Sequence, residues 1–420
     1  MEDKFMRLEV GITLWLSIAF ASAHALAEAV GPASLFRDLR AARTAAATAL
    51  AALQTAAPPG SPASVASVHE SMTELADLQS FTGDTAGAIA TMDRLYGTPP
   101  PTHLPTLKET RQLDQARAED AVQAIVAAAK GKRAVLINEA HMVPMHRAFT
   151  QKLAVALKKI GFTYLACEAF NDAPLSELKY LTQSNGYYTR DPMFAGLVNV
   201  ALANGYKLVA YDTDKEDGSL SSMERVQRRE RLQAQNIYDR IFAKDKNAKV
   251  LIHVGYHHLG KVPVGQITPM GVYLRRLLGA NATLHIDQTL FYARSAVANE
   301  HPLYRTVLAK FPSASPFVLR TKDGDNLPLN GSPGFVDMEI FFPAYGEREG
   351  RPEWLQSLAG REPRDIPPEL LPTTGERLIL AYANSHGDDA VATDAVLVQT
   401  GKTVPKLMLP KGEFRFKVQD

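Results

Sequence analysis

Apolar and polar positions alternate in blocks between residues 106 and 292, and these blocks predict strands and helices in turn. Short, nearly continuous apolar runs predict five buried strands, at Ala134–Ile137, Phe162–Cys167, Lys207–Tyr211, Val250–Val254 and Thr283–Ile286. Stretches with helical spacing predict the intervening helices, at Leu113–Ala129, Pro144–Lys159, Pro192–Ala203, Ser222–Phe242 and Met270–Leu278. Apolar strands that alternate with helices are typical of a mainly parallel sheet covered by helices on both faces. The predicted fold class is therefore α/β.

The regions on either side of this 106–292 block have different patterns. Residues 28–105 are rich in alanine at helical spacing and end in a proline-rich linker, which predicts a helical region packed on the main domain. Residues 293–420 carry short β-like runs between loops, which predicts a β-rich region that either forms a small domain or extends the sheet. The runs are Phe317–Arg320, Phe335–Phe342, Leu378–Ala383, Ala395–Gln399 and Phe414–Val418.

The first 27 residues predict a secretory signal peptide. Val10–Ala23 is apolar but short for a bilayer span, and Ala25-Leu26-Ala27 has the small-x-small pattern of a cleavage site. An uncleaved membrane anchor is the alternative. Cleavage near Ala27 predicts an extracytoplasmic protein, periplasmic or secreted, with no membrane span after signal removal.

Composition narrows the choice of partners and chemistry. The chain has 420 residues, 46% hydrophobic and 22% charged, which is typical of a globular protein with room for several domains. The formal net charge of +1 gives no reason to expect nucleic acid or an anionic membrane as a partner. Cys167 is the only cysteine and lies in an apolar run, so a buried thiol is expected and an internal disulfide is excluded.

The sequence contains no H-E-x-x-H, no G-x-S-x-G and no phosphate-binding glycine-rich motif, so common zinc proteases, serine hydrolases and nucleotide enzymes are not indicated.

Polar residues follow the ends of several predicted strands. Glu139 and His141 follow the first strand, Glu168 follows the second, and His258 follows the fourth. Ligands of open parallel sheets bind outside the carboxyl ends of the strands, so these side chains are expected to share one site. Taken singly, each also has a structural interpretation, such as a helix cap or a hydrogen-bonded histidine.

The predicted helix Ser222–Phe242 contains a charged pair at its apolar face. Glu230 lies in the middle of the apolar face, and Arg229 lies on its flank. A carboxylate among core positions needs a partner, because burial of an unpaired charge is costly. Two interpretations remain open: a structural salt bridge, and a role in positioning the site.

Two four-residue segments that end in histidine follow the first and fourth strands, Asn138-Glu139-Ala140-His141 and Gly255-Tyr256-His257-His258. Together with Glu168 and the Arg229-Glu230 pair, their order and spacing resemble the superfamily that joins erythromycin-esterase-like, ChaN-like haem-binding and TraB/Tiki proteins. The hallmark of that superfamily is two G-x-x-H elements after core strands, so Asn138 is a departure from the pattern. The esterase-like branch has His at the position of Gly255, which places the resemblance nearer the ChaN and Tiki branches. The resemblance covers about residues 131–292.

This resemblance implies hydrolysis in some branches, metal-dependent proteolysis in another and haem binding in a third, because fold alone does not fix chemistry. The first expectation is a hydrolase of the esterase or protease class that acts on a small molecule or a peptide. Glu139 with His258 or His141 would hold a divalent metal (Zn, Mn or Co) or activate water directly. Glu168 would serve as general base or as a second ligand, and Arg229 with Glu230 would orient a site residue or stabilise an oxyanion.

Two other functions stay open at this point. A haem- or metal-binding protein without catalysis would draw its axial ligands from a set of five residues, namely His141, His146, Tyr256, His257 and His258. A domain that has lost activity and serves in envelope assembly is the third hypothesis.

Overall fold

The protein is described by a computed structural model that covers residues 34–55, 62–96, 107–172, 174–212, 220–329 and 334–420. The predicted signal peptide (1–27) and the proline-rich linker (98–105) lie outside these residues. Within the described ranges, no helix has the length and apolar character needed to cross a membrane.

Three helices precede the sheet, and the second and third pack on it. They are α1 (Leu35–Thr55), α2 (Pro62–Phe81) and α3 (Thr85–Tyr96). Helices α2 and α3 form a hairpin, and the turn between them contains Gly83 at a φ of 83°, a conformation that glycine adopts without strain. Ala76, Ala88 and Met92 of this hairpin are buried in the same hydrophobic cluster as the sheet. The N-terminal helical region is therefore an integral layer of the molecule.

An eight-stranded, mostly parallel sheet forms the centre of the fold. Its strands in chain order are β1 (Arg117–Asp120), β2 (Ala134–Glu139), β3 (Tyr164–Cys167), β4 (Lys207–Ala210), β5 (Val250–Gly255), β6 (Thr283–Phe291), β7 (Phe317–Arg320) and β8 (Met338–Phe341). Their spatial order is β1-β7-β8-β6-β2-β5-β3-β4. The strands from β8 to β4 are parallel, and β7 and β1 extend one edge in antiparallel pairing. The predicted α/β class is confirmed.

Helices cover both faces of the sheet. The next helices along the chain, up to residue 310, are α4 (Leu107–Asp114), α5 (Ala121–Ala129), α6 (Pro144–Lys158), α7 (Pro192–Ala203), α8 (Ser222–Ile237), α9 (Met270–Leu278) and α10 (Tyr304–Lys310). Val135 and Ile137 of β2 pack in the cluster that contains α5, α6 and α7. Ala134 and Leu136 face the opposite side, in the cluster that contains α8 and α9. This alternation of side chains along one strand explains why its sequence is continuously apolar.

The C-terminal region is rich in short antiparallel strands. Its elements are β9 (Glu347–Arg348), β10 (Arg351–Pro352), α11 (Trp354–Ser357), β11 (Glu362–Arg364), β12 (Glu376–Ala383), β13 (Asp394–Gln399), β14 (Leu407–Leu409) and β15 (Phe414–Gln419). The three-stranded sheet of this region has the order β13-β12-β15. The sequence left open whether this region extends the main sheet or forms a small domain. Both arrangements occur, because β7 and β8 join the main sheet, whereas β9 to β15 form small sheets of their own.

Two sequence-based boundaries differ from the structure. The predicted helix Leu113–Ala129 is wrong between residues 115 and 120, where β1 pairs with β7 and Asp120 caps the following helix by accepting from the Gln123 N–H at 2.9 Å. The predicted strand Thr283–Ile286 is too short, because β6 runs to Phe291 and pairs with β8. Both differences arise from pairing between segments distant in sequence, which local periodicity does not encode.

Candidate active site

The carboxyl ends of four neighbouring parallel strands, β2, β5, β3 and β4, form the edge at which the polar residues meet. Glu139 is the last residue of β2, Glu168 directly follows β3, and Asp212 lies two residues beyond β4. His258 lies in the short 3-10 turn that follows β5. The structure thus brings Glu139, His141, Glu168 and His258 to one edge of the sheet.

Glu139 is a buried carboxylate held by a buried arginine. Its side chain accepts two hydrogen bonds from Arg147 on α6, from Nε to Oε2 at 2.7 Å and from Nη2 to Oε1 at 2.8 Å. The Nε2 atom of His253 on β5 lies 3.4 Å from Oε2. Burial alone would raise the pKa of Glu139, but Arg147 and His253 outweigh burial and hold it well below its usual range. Glu139 is therefore ionised at neutral pH.

His141 is oriented by this ionised carboxylate. Its Nδ1 atom lies 2.9 Å from Oε1 of Glu139. A carboxylate only accepts hydrogen bonds, so Nδ1 carries a proton and donates, and in the neutral imidazole this leaves the lone pair on Nε2. Tyr188 stacks on the imidazole with 4.0 Å between ring centroids, and Tyr256 contacts it edge-on at 5.4 Å. These contacts fix the ring while leaving 17% of the side chain exposed to solvent.

Glu168 and Arg229 form the second part of the site. Oε1 of Glu168 accepts from Nη2 of Arg229 at 2.6 Å, and Oε2 accepts from the backbone N–H of Gly255 at 2.6 Å. Arg229 also donates to Asp212, which in turn accepts from Gln233 at 2.9 Å. Burial would raise the pKa of Glu168, but the neighbouring positive charges lower it to about 2. Arg229 thus lies between two carboxylates.

His258 lies between the carboxylates of Glu230 and Glu168. Its Nδ1 atom is 2.5 Å from Oε1 of Glu230, and its Nε2 atom is 3.4 Å from Oε1 of Glu168. The other oxygen of Glu230 accepts from the backbone N–H of Met270, the first residue of α9. Burial lowers the pKa of His258, but Glu230 and Glu168 outweigh burial and raise it to about 9. His258 is therefore an imidazolium at neutral pH. It is the partner that the buried carboxylate of Glu230 requires.

Gly255 gives the two halves of the site room to approach one another. A Cβ atom at this position would lie 2.7 Å from Cε1 and Nε2 of His141 and 3.2 Å from Oε2 of Glu168. The following residue, Tyr256, has a φ of 39°, which is unusual for a bulky side chain and typical of strained functional segments. The amide of Asn138 donates to the Tyr256 carbonyl at 2.9 Å. The asparagine that departs from the G-x-x-H pattern therefore links the two histidine-containing segments.

Two of the histidines predicted as ligands form none of the hydrogen bonds and ion pairs described above. His146 is fully buried, its Nδ1 atom accepts from the Ala140 N–H at 3.1 Å, and burial lowers its pKa to about 3. Its ring packs edge-on against Tyr292 at 5.2 Å, so it supports the turn after β2. His257 is exposed, and its ring lies 5.9 Å from that of Phe335.

Sequence reasoning missed three residues that hold Glu139 and its arginine. His253 is the polar residue within the otherwise apolar strand β5, which was a usable signal. Arg147 lies in the first turns of α6, where a charged residue among buried neighbours was a second signal. Asp191, the cap of α7, lies 3.2 Å from Nη1 of Arg147 through Oδ1, and no local pattern indicated this contact.

The residues predicted as metal ligands contact other protein groups in this structure. Both oxygens of Glu139 accept from Arg147, and Nδ1 of His258 faces Glu230 at 2.5 Å. In the part of the chain that the structure describes, no group of three or more His, Cys, Asp or Glu side chains is arranged to hold a metal ion. The arrangement is that of two ion-pair networks, and binding of Zn, Mn, Co or haem stays a prediction.

Comparison with known proteins gives distant structural similarities. No family model matches the sequence, and no curated protein matches it. A solved structure described as bacterial protein toxins is 17% identical, covers 53% of this chain and 46% of its own, and has a TM-score of 0.29. A second with the same description is 12% identical, covers 63% and 68%, and has a TM-score of 0.29. A third, RRSP, a MARTX toxin effector domain from Vibrio vulnificus CMCP6, is 16% identical, covers 53% and 50%, and has a TM-score of 0.23.

The chain spans less than half the length of the first of these structures. At these TM-scores the similarities carry no argument about activity. They do not confirm the ChaN, esterase-like and TraB/Tiki superfamily, whose membership stays a prediction.

Proposed function

We propose that the protein is a hydrolase of the esterase or protease class in which His141 activates a water molecule. The observation that carries this proposal is the hydrogen bond from Nδ1 of His141 to the buried, ionised Glu139. A carboxylate in this position fixes the tautomer, so that Nε2 takes a proton from water, and it stabilises the imidazolium that results. The hydroxide attacks the carbonyl carbon, and the proton then passes from His141 to the leaving group.

His258 and Arg229 supply the positive charge that this reaction needs. Attack on a carbonyl carbon places negative charge on its oxygen, and preorganised cationic donors stabilise that charge. The side chain of His258 is 12% exposed and that of Arg229 is 21% exposed, so each presents part of its surface outside the protein interior. The two histidines take different roles because His258 lies between two carboxylates, which raise its pKa to about 9, whereas the hydrogen bond from His141 to Glu139 leaves Nε2 as the ring atom that can accept a proton.

Glu168 serves this proposal as a positioning residue. The sequence suggested a general base, but a carboxylate with a pKa of about 2 is a weak base at neutral pH. Both of its oxygens already accept strong hydrogen bonds, from Arg229 and from the backbone of Gly255. Its function is to hold Arg229 and His258 on the substrate side of the sheet edge.

The order of the polar motifs also supports membership in the ChaN, esterase-like and TraB/Tiki superfamily, and the apolar N-terminal run supports an extracytoplasmic location. Both proposals rest on sequence. Expression of the full chain in a bacterial host with N-terminal sequencing of the periplasmic fraction tests the second. Recovery of uncleaved protein beginning at residue 1 would contradict it.

His141→Asn is expected to lower kcat by about 100-fold or more on any substrate that the wild type hydrolyses, because the general base is lost. The assay uses a panel of p-nitrophenyl esters and quenched fluorescent peptides. His386→Asn is the matched control, since that half-buried histidine lies in the loop after β12 and stacks on Tyr180. Full activity in His141→Asn, or no hydrolysis anywhere on the panel by the wild type, would contradict the proposal.

Metal and haem analysis of the same preparation distinguishes the proposed hydrolase from a haem-binding protein. The proposed hydrolase keeps its activity after dialysis against a chelator. A haem-binding protein would instead show a Soret band on haem addition that His141→Asn or His258→Asn removes.

Gly255→Ala is expected to lower kcat/KM by at least about ten-fold, because the new Cβ displaces the His141 ring and a small misplacement of a reacting group is costly. The unfolding free energy should fall by about 1–3 kcal/mol, as is usual for overpacking. Gly265→Ala is a poor control because its φ is 56°, whereas Gly131→Ala meets no neighbouring atom and has no positive φ. Unchanged kcat/KM in Gly255→Ala would show that His141 tolerates the displacement.

A further inference from the structure

The N-terminal hairpin α2–α3 reaches the candidate site through a continuous series of buried contacts. Ser80, near the end of α2, donates from Oγ to Oδ2 of Asp191 at 2.8 Å. Asp191 lies 3.2 Å from Arg147, Arg147 holds both oxygens of Glu139, and Glu139 accepts from His141. The first four residues of the series are each less than 5% exposed.

The carboxylate of Asp191 is held in place through both of its oxygens. Oδ1 of Asp191 also caps α7, accepting from the N–H groups of Met193 at 2.8 Å and Phe194 at 3.1 Å. Among the described residues, the hydroxyl of Ser80 is the donor to the other oxygen, Oδ2, and so helps to fix the rotation of the carboxylate. Because Oδ1 lies 3.2 Å from Nη1 of Arg147, that rotation also affects where the guanidinium lies between Asp191 and Glu139.

A second, aromatic route connects the same helix to the same histidine. Phe81 of α2 packs edge-on against Tyr187 with 5.5 Å between ring centroids, and Tyr187 contacts Tyr188 at 5.1 Å. Tyr188 is the ring that stacks on His141. Adjacent residues of α2, Ser80 and Phe81, therefore begin two independent sets of contacts that both end at His141.

The hairpin is itself fixed from its other side. A Cβ atom at Gly83, in the turn after α2, would lie 2.1 Å from the carbonyl oxygen of Ala395 on β13. The turn therefore packs directly against the C-terminal three-stranded sheet. Movement of the hairpin relative to the main sheet would have to displace backbone on both sides.

From these contacts we infer that the N-terminal hairpin is part of the catalytic apparatus, with Ser80 as a positioning residue for the Glu139–His141 pair. This inference rests on the proposed role of His141 as the base. Ser80 does not touch the reacting atoms, and it acts through Asp191, Arg147 and Glu139. The region that sequence alone marks as a flanking helical layer is thereby assigned a role in activity.

The test uses the full chain and a chemical probe that needs no substrate. Diethyl pyrocarbonate acylates unprotonated imidazole nitrogen, and mass spectrometry of peptides gives the rate at each histidine as a function of pH. Ser80→Ala is expected to lower the rate at His141 by about three- to ten-fold, in line with the loss of one hydrogen bond.

Three further variants make the result decisive. Ser80→Thr keeps the hydroxyl and is expected to retain the wild-type rate, whereas Ser80→Cys keeps the volume with a weak donor and should behave as Ser80→Ala does. Ser67→Ala is the matched control, because that serine is exposed on the same helix. A merely structural role would lower stability in Ser80→Ala and leave the modification rate at His141 unchanged in the folded protein, which would overturn the inference.

The kinetic measurement separates this inference from the proposed function. On a hydrolysed substrate, Ser80→Ala should lower kcat with little change in KM, since the hairpin orients the base. If the wild type hydrolyses nothing on the panel but the rate at His141 still depends on the Ser80 hydroxyl, the proposed function fails and the positioning role survives. If hydrolysis is found and Ser80→Ala alters neither kcat nor the modification rate, the positioning role fails alone.

Discussion

Arg147→Met is expected to lower the free energy of unfolding by about 3–5 kcal/mol, the largest effect on stability predicted for a single substitution in the site. Methionine fills much of the space of the arginine stem but leaves Glu139, which is 1% exposed, without its two strongest donors. A buried carboxylate without a partner must either become protonated or draw in water, and both are costly. Urea unfolding followed by circular dichroism measures the change.

Two companion variants show whether the unpaired charge is the cause. Arg147→Met combined with Glu139→Gln removes both charges and should recover part of the lost stability, because it no longer buries an uncompensated carboxylate. Arg231→Met makes the same substitution at an exposed position on α8 and should change stability by less than about 0.5 kcal/mol. A loss in Arg147→Met no larger than in Arg231→Met would contradict the described network.

Glu230→Gln is expected to lower the pKa of His258 from about 9 toward the ordinary value of 6.5. Burial opposes the charged imidazole, and Glu230 is the carboxylate that contributes most to its stabilisation. A raised pKa in the folded state stabilises the fold fully below pH 6.5, and the contribution is lost as pH rises through 9. In the wild type this contribution is about 3 kcal/mol, because each pKa unit corresponds to 1.36 kcal/mol.

The measurement is an NMR titration of the imidazole signals together with urea unfolding at several pH values. In Glu230→Gln, both the titration midpoint of His258 and the alkaline loss of stability should move to lower pH, while the amide oxygen still accepts from the Met270 N–H. Glu177→Gln is the matched control, since Glu177 is exposed. An unchanged midpoint for His258 in Glu230→Gln would refute the pairing of these two side chains.

Alternation of apolar strands and helices was enough to predict the central sheet and the edge at which the site lies. Side chains that follow parallel strands must emerge at the same edge, so Glu139, Glu168 and His258 were predictable from position alone. Glu230 was predictable as a residue in need of a partner, because it interrupts the apolar face of α8. The identity of that partner, His258, was not, since the two residues lie on different elements.

Sequence by itself therefore determined the fold class, the sheet edge and the residue types at that edge, because these depend on periodicity and on chain direction. Only the tertiary structure decided the protonation states and the roles. Arg147 holds Glu139 ionised, two carboxylates keep His258 charged, and Ser80 reaches the site from the N-terminal hairpin. Such contacts join segments distant in the chain, and hydrogen-bond geometry and burial, which set the pKa of each group, exist only once those segments have packed.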